Sequence, residues 1–162
     1  MSDNEFEQGD SGAANITLVE AGRRKPGSLL MMKDEFPCKV TSMSTAKPGK
    51  HGSAKAMITA KDIFTDKQYE ETFGTGDMIP APVVTKTEYV CIDCDDDGAL
   101  SLMDTTSGDI KEDVSLPTAS HLSHLEKQLR GILEAGKKEA LVTVQVWGEK
   151  FQMISVREGA EQ

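Results

Sequence analysis

Two stretches of period-two alternation, residues 36–44 and 54–64, flank a segment that cannot continue a strand. In the first stretch Phe36, Cys38 and Val40 fall on one side and Lys39 and Thr41 on the other. Successive side chains of a strand point to opposite faces, so this pattern buries one face and wets the other. The intervening residues 45–53 hold Lys47, Pro48, Gly49, Lys50, His51 and Gly52. Proline presets a turn dihedral and glycine tolerates positive φ, so the segment is predicted to be the exposed tip of an antiparallel hairpin. A chain built around such a hairpin is mainly β, and only eight aromatics among its 162 residues favour short strands over aromatic-packed helices.

The remaining pattern predicts two small domains. Residues 1–16 are acidic and rich in Gly, Ser and Ala, with little to bury, and read as a disordered tail. The first domain is expected over 17–84. Ile79-Pro80-Ala81-Pro82 is extended and stiff and reads as its linker to a second domain over 85–158, with a short tail at 159–162. In the second domain, residues 88–92, 99–103, 110–114, 141–147 and 151–156 have strand patterns. One helix interrupts them. Leu122, Leu125, Leu129, Ile132 and Leu133 line one face at helical spacing, Ser123 and Glu126 suggest a capping box, and Gly136 supplies the stop. Five strands with one helix between the third and fourth suit a small OB-type barrel.

Charge divides the chain unevenly. Residues 1–22 carry five acids and no base, residues 23–61 nine bases against two acids, and residues 62–162 nine bases against twenty acids. The net charge of −9 therefore conceals a block of +7 that calls for a polyanionic partner. No apolar run is long enough to span a bilayer, and the N-terminus is acidic where a targeting peptide is basic. Three cysteines do not make a disulfide framework and suit a reducing compartment, so a cytoplasmic location without membrane partners is expected.

Several motifs fail on context. Asp93, Asp95, Asp97, Gly98 and Asp104 match the spacing of a calcium loop, but strand patterns flank them where helices are required, and a tight turn at Asp96-Asp97-Gly98 fits better. Cys91 and Cys94 with His121 and His124 have the wrong spacing for zinc, and the two cysteines of a continuing strand point to opposite faces. Gly49-Lys50 lacks the earlier glycine and the following Ser or Thr of a phosphate loop. Tyr89, Trp147 and Phe151 sit in a domain of −7 and read as core or rim aromatics. No Ser or Cys elbow motif accompanies a histidine.

The segment Ser44-Thr45-Ala46-Lys47-Pro48-Gly49-Lys50-His51-Gly52-Ser53-Ala54-Lys55 resembles the modification loop of the hypusine-containing translation factors, initiation factor five-A. The resemblance continues at Pro37-Cys38-Lys39-Val40, Asp62-Ile63-Phe64-Thr65, Tyr69-Glu70, Leu100-Ser101-Leu102 and Lys111-Glu112-Asp113. It implies an N-terminal SH3-like β-barrel followed by a C-terminal OB-fold barrel. It also implies a factor that binds the ribosome beside peptidyl-tRNA, promoting elongation at stalling sequences such as polyproline, and termination. In that family deoxyhypusine synthase transfers an aminobutyl group from spermidine to one lysine, here Lys50, and a deoxyhypusine hydroxylase can then add an oxygen. The chain is on this basis an enzyme's substrate, not an enzyme, and holds no cofactor or metal. Lys47, Pro48, Gly49, His51, Gly52 and Lys55 would form the loop that meets tRNA and ribosome, with Arg23, Arg24, Lys39 and Lys61 as supporting basic surface. Ala46, Pro48 and Ser53 replace the Ser, Thr and His of the common eukaryotic loop, and Pro48 and Ser53 resemble the archaeal branch, which often stops at the unhydroxylated form. A general OB-type RNA-binding protein or RNA chaperone, using the basic face without modification, is the alternative.

Overall fold

The computed structural model describes residues 15–47 and 54–162. The chain divides into two compact units, the first ending at Val83 and the second running Val84–Gln162. Residues 1–14, most of the expected tail, lie outside the described residues. Asn15 and Ile16, assigned to that tail by composition, are instead part of the first unit: Asn15 accepts a hydrogen bond from the Val83 amide at 2.8 Å, and Ile16 opens a strand.

The first unit contains β1 (Ile16–Glu20), β2 (Leu29–Met32), β3 (Phe36–Ala46), β4 (Lys55–Asp62), β5 (Gln68–Gly74) and β6 (Met78–Pro82). They form a four-stranded antiparallel sheet in the order β2-β3-β4-β5 and a two-stranded sheet of β1 with β6, the sheets of the SH3-like domain. Alternation places Ala56, Ile58 and Ala60 inward, where with Leu30, Met32, Cys38, Val40 and Ile79 they form the core. Phe36 and Tyr69 close it with rings stacked 4.5 Å apart.

The segment from Ile79 to Pro82 is not a linker. It is β6, with Ile79 and Ala81 buried. Asp77 O accepts from the Ala21 amide and the Val83 amide donates to Asn15 O, the residues flanking β1, so odd-numbered residues face β1 and the two prolines present their missing N–H groups to the open edge. Composition marked the stiffness of this segment but not its partner, which lies some sixty residues earlier.

The second unit contains β7 (Thr85–Cys94), β8 (Leu100–Met103), β9 (Ile110–Lys111), the helix α1 (His124–Ala135), β10 (Lys138–Trp147) and β11 (Lys150–Glu161). One antiparallel sheet, ordered β11-β10-β7-β8-β9, curls around a core of Leu100, Leu102, Val142, Val144 and Met153, an OB-type half-barrel. The helix contributes Leu125, Leu129 and Ile132 to that core. Residues 159–161, expected as a tail, extend β11, and the Gln162 amide bonds to Lys137 O at 2.9 Å. The capping box does not form: a 3-10 turn, Ser120–Leu122, runs directly into α1, so Ser123 already has helical dihedrals and makes no cap bond. Glu126 instead pairs with Arg130 one turn on, at 2.9 Å. Gly136 ends the helix at φ 65°, the left-handed geometry that glycine adopts without a Cβ penalty. Among the described residues no helix is long and apolar enough to cross a membrane.

Candidate functional site at the end of the β3–β4 hairpin

Strands β3 and β4 pair from Cys38↔Asp62 to Ala46↔Lys55, so the chain leaves the sheet after Ala46 and returns at Lys55. Lys47 and Lys55 stand exposed at these two ends. Pro48, Gly49, Lys50, His51 and Gly52 lie outside the described residues. The structure therefore fixes the two anchors of the basic segment.

A ladder of backbone bonds braces the anchor on β4. The Thr75 amide donates to Ala54 O at 3.1 Å, the Gly22 amide donates to Thr75 O at 2.8 Å, and the Ala21 amide donates to Asp77 O at 2.9 Å. Ala21–Arg23 form a 3-10 turn, and this ladder seats it beside the start of β4. Arg23 and Arg24, distant in sequence, thus belong to the same end of the unit as Lys47 and Lys55. Arg23 is exposed and pairs with Glu20 at 3.3 Å. The ladder is invisible to periodicity; the small pair Ala21-Gly22, which permits close backbone approach, was the signal for it.

Lys39 and Lys61 are not part of that end. They face each other across β3 and β4, on the outward side of the sheet. Lys39 lies seven positions before Ala46, which places it roughly 20 Å along the strand. Like charges in directly opposed positions repel, and Lys61 leans toward Asp66 at 3.9 Å. The outward face also carries Glu70, opposite Thr59.

In the second unit, Asp95 organises the acidic turn as an Asx-type cap: its Oδ1 accepts from the amides of Asp97 at 2.9 Å and Ala99 at 2.8 Å. Among the described residues no three His, Cys, Asp or Glu side chains are grouped to hold a metal ion. Cys91 and Cys94 do not point to opposite faces. The register skips between Cys91↔Leu102 and Asp93↔Ser101, so Ile92 is an extra residue and the bulge turns both thiols into the core. Burial pushes the Cys91 thiol up to about 11, and Cys94 is raised by the same cause. Cys38, in the first unit, is pushed up to about 12 by burial, with the Asp62 carboxylate adding to it. These are inert packing groups. Tyr89 packs against the core, and Lys111 Nζ lies 5.3 Å from the centre of the Phe151 ring.

The comparisons with known proteins follow the same two units. Residues 14–77 match the family model described as Translation initiation factor 5A-like, N-terminal. Residues 83–157 match the one described as Eukaryotic elongation factor 5A hypusine, DNA-binding OB fold. The chain is 37% identical to Eukaryotic translation initiation factor 5A of Dictyostelium discoideum, over 97% of this chain and 98% of that one. It is 38% identical to Eukaryotic translation initiation factor 5A-3 of Arabidopsis thaliana, over 98% of each. Among solved structures, a translation initiation factor eif-5a family protein from Naegleria fowleri superposes with a TM-score of 0.78 at 33% identity, covering 88% of this chain and 99% of that chain. A two-unit β-protein with a basic hairpin on the first unit and an OB fold in the second is thus of the translation-factor class. The chain belongs to the translation initiation factor 5A family.

Proposed function

We propose that the chain acts in the cytoplasm on the ribosome, beside peptidyl-tRNA, and promotes peptide-bond formation at stalling sequences such as polyproline, and termination. Lys50 is the residue that carries the activity, after deoxyhypusine synthase has added the aminobutyl group of spermidine; hydroxylation by a deoxyhypusine hydroxylase would give hypusine. The chain is then a substrate of those enzymes and has no catalytic group or cofactor of its own. One observation supports this reading: the twelve-residue modification-loop motif, Ser44 to Lys55, spans the connection between β3 and β4 together with the last three residues of β3 and the first of β4, and its ends are pinned by the Ala46↔Lys55 pair and the Ala54–Thr75–Gly22 ladder.

A lysine lengthened by an aminobutyl group is a flexible stem with two cationic centres. Held on a braced hairpin, it reaches along the tRNA acceptor end and binds phosphates, leaving the chemistry to the ribosome and supplying orientation. Lys47 and Lys55 flank it, and Pro48, Gly49, His51 and Gly52 shape the loop. Arg23 and Arg24 extend the same positive end, while Lys39 and Lys61 meet ribosomal RNA farther along the sheet. Lys50→Arg tests the reading, because arginine keeps the charge but cannot accept the aminobutyl group. The variant is expected to fold as the parent and to fail to replace it in cells; full complementation would overturn the proposal.

A further inference from the structure

Arg23 and Arg24 are neighbours in sequence, yet the fold sets them apart. The Arg23 side chain is 79% exposed and tied to Glu20 at 3.3 Å, a surface pair of little energetic worth. Arg24 is half-buried. Its Nε is closed off from solvent without a hydrogen-bond partner, and among the described residues no carboxylate pairs with the guanidinium. Nε is the one guanidinium nitrogen that is both buried and unpartnered, so the stem is packed against the first unit up to that atom. The two terminal NH2 groups are left to meet a ligand.

The backbone that carries Arg24 is pinned on both sides. Before it, the Arg24 amide closes the 3-10 turn on Ala21 O at 3.2 Å, and the Gly22 amide seats that turn on Thr75 O at 2.8 Å. After it, the Ser28 hydroxyl donates to Lys25 O at 2.6 Å and accepts from the Lys25 amide at 3.1 Å, while the Gly27 amide donates to Val40 O on β3 at 2.8 Å. A guanidinium held in this way has little freedom left to lose on binding. A partly desolvated cation without a counter-charge is costly in the free chain, and an anion at its tips supplies that charge. Lys25 follows it, and Lys47 and Lys55 stand exposed at the same end, so the local potential is positive. The planar fork of arginine matches two oxygens of one phosphate, which a lysine ammonium of equal charge does not.

We infer that Arg24 grips one RNA backbone phosphate with its two terminal NH2 groups and so fixes register, while Arg23 and the lysines of this end supply diffuse attraction. The inference rests on the ribosome reading above and names a positioning residue within it. The test titrates purified ribosomes with full chains in one Lys50 modification state, checked by intact mass: the parent, Arg24→Lys, Arg23→Lys and Lys47→Ala. Arg24→Lys should weaken binding by about tenfold at every salt concentration and leave the slope of log affinity against log salt unchanged, because the formal charge is kept. Arg23→Lys should cost no more than about twofold, and Lys47→Ala should lower the slope by about 1. Arg24→Lys should also keep the parent's urea midpoint; where it does not, a second measurement decides. A benzophenone side chain at the exposed position 25, with Arg24 intact, should crosslink to RNA, and gel analysis tells ribosomal RNA from tRNA. Equal binding by parent and Arg24→Lys, equal loss from Arg23→Lys, or crosslinks to protein alone would overturn this inference and leave the ribosome reading standing. No ribosome binding by the parent would overturn both.

Discussion

The Gly22 amide bonds to the carbonyl oxygen of Thr75 at 2.8 Å, and a Cβ built on Gly22 would stand 2.8 Å from that same oxygen and 2.9 Å from the Thr75 Cβ. The closest obstacle is backbone and cannot swing away, so Gly22→Ala must push the 3-10 turn off Thr75. Overpacking of this kind costs about 1 to 3 kcal/mol. A lowered urea midpoint for the first unit's transition, with unchanged slope, is the expected result, together with faster exchange of the Thr75 amide.

The helix of the second unit makes a contrasting prediction. Leu129 is fully buried and Leu133 only partly so, on the same face of α1. Leu129→Ala is expected to cost about 2 to 5 kcal/mol, by lost transfer energy plus the cavity left behind. Leu133→Ala should cost less, and denaturant unfolding of the two variants side by side checks the order.

Buried thiols give the pH dependence. The Cys38 and Cys91 thiols are raised from 9.0 to about 12 and about 11 by burial. The native state therefore keeps protons that the unfolded chain releases. Their stabilisation is complete below pH 9, and stability falls as pH rises through 9 toward 11, by about 1.4 kcal/mol per pH unit per thiol. Cys91→Ala should flatten the decline, measured by urea unfolding at pH 8 and 10. A thiol reagent at pH 8 should label the unfolded chain and leave the native one almost unlabelled.

Much of this architecture was legible because one buried face imposes alternation. β3, β4, β10 and β11 and the helix face from Leu122 to Ile132 follow directly from period two and period 3.6. β2 was not legible: Leu29-Leu30-Met31-Met32 is a continuous apolar run, buried from Leu30 onward. The β1–β6 pair was hidden because its prolines read as a linker, and a one-residue bulge at Ile92 reversed the reading of Cys91 and Cys94. Of the site, the motif around Lys50 is local in sequence and was plain. The ladder from Gly22 through Thr75 to Ala54 joins three distant segments; the small pair Ala21-Gly22 marks a close approach, but nothing local encodes which segments meet there.

If the positive end of the first unit meets RNA phosphates, ribosome affinity should fall steeply with salt. Lys47→Ala and Lys55→Ala remove charges at the two hairpin anchors and should each reduce the slope of log affinity against log salt by about 1. Lys39→Ala, roughly 20 Å along β3, tests whether the contact extends over the sheet face. Sedimentation binding at three salt concentrations separates these effects, and affinity indifferent to salt would contradict them.

The central claim rests on Lys50, and its most direct measurement is the mass of the peptide carrying it, taken from the chain purified from its native source. The account predicts one added aminobutyl group on Lys50, with or without one further oxygen, and no such addition on Lys47 or Lys55. An unmodified Lys50 in functional chain would contradict it.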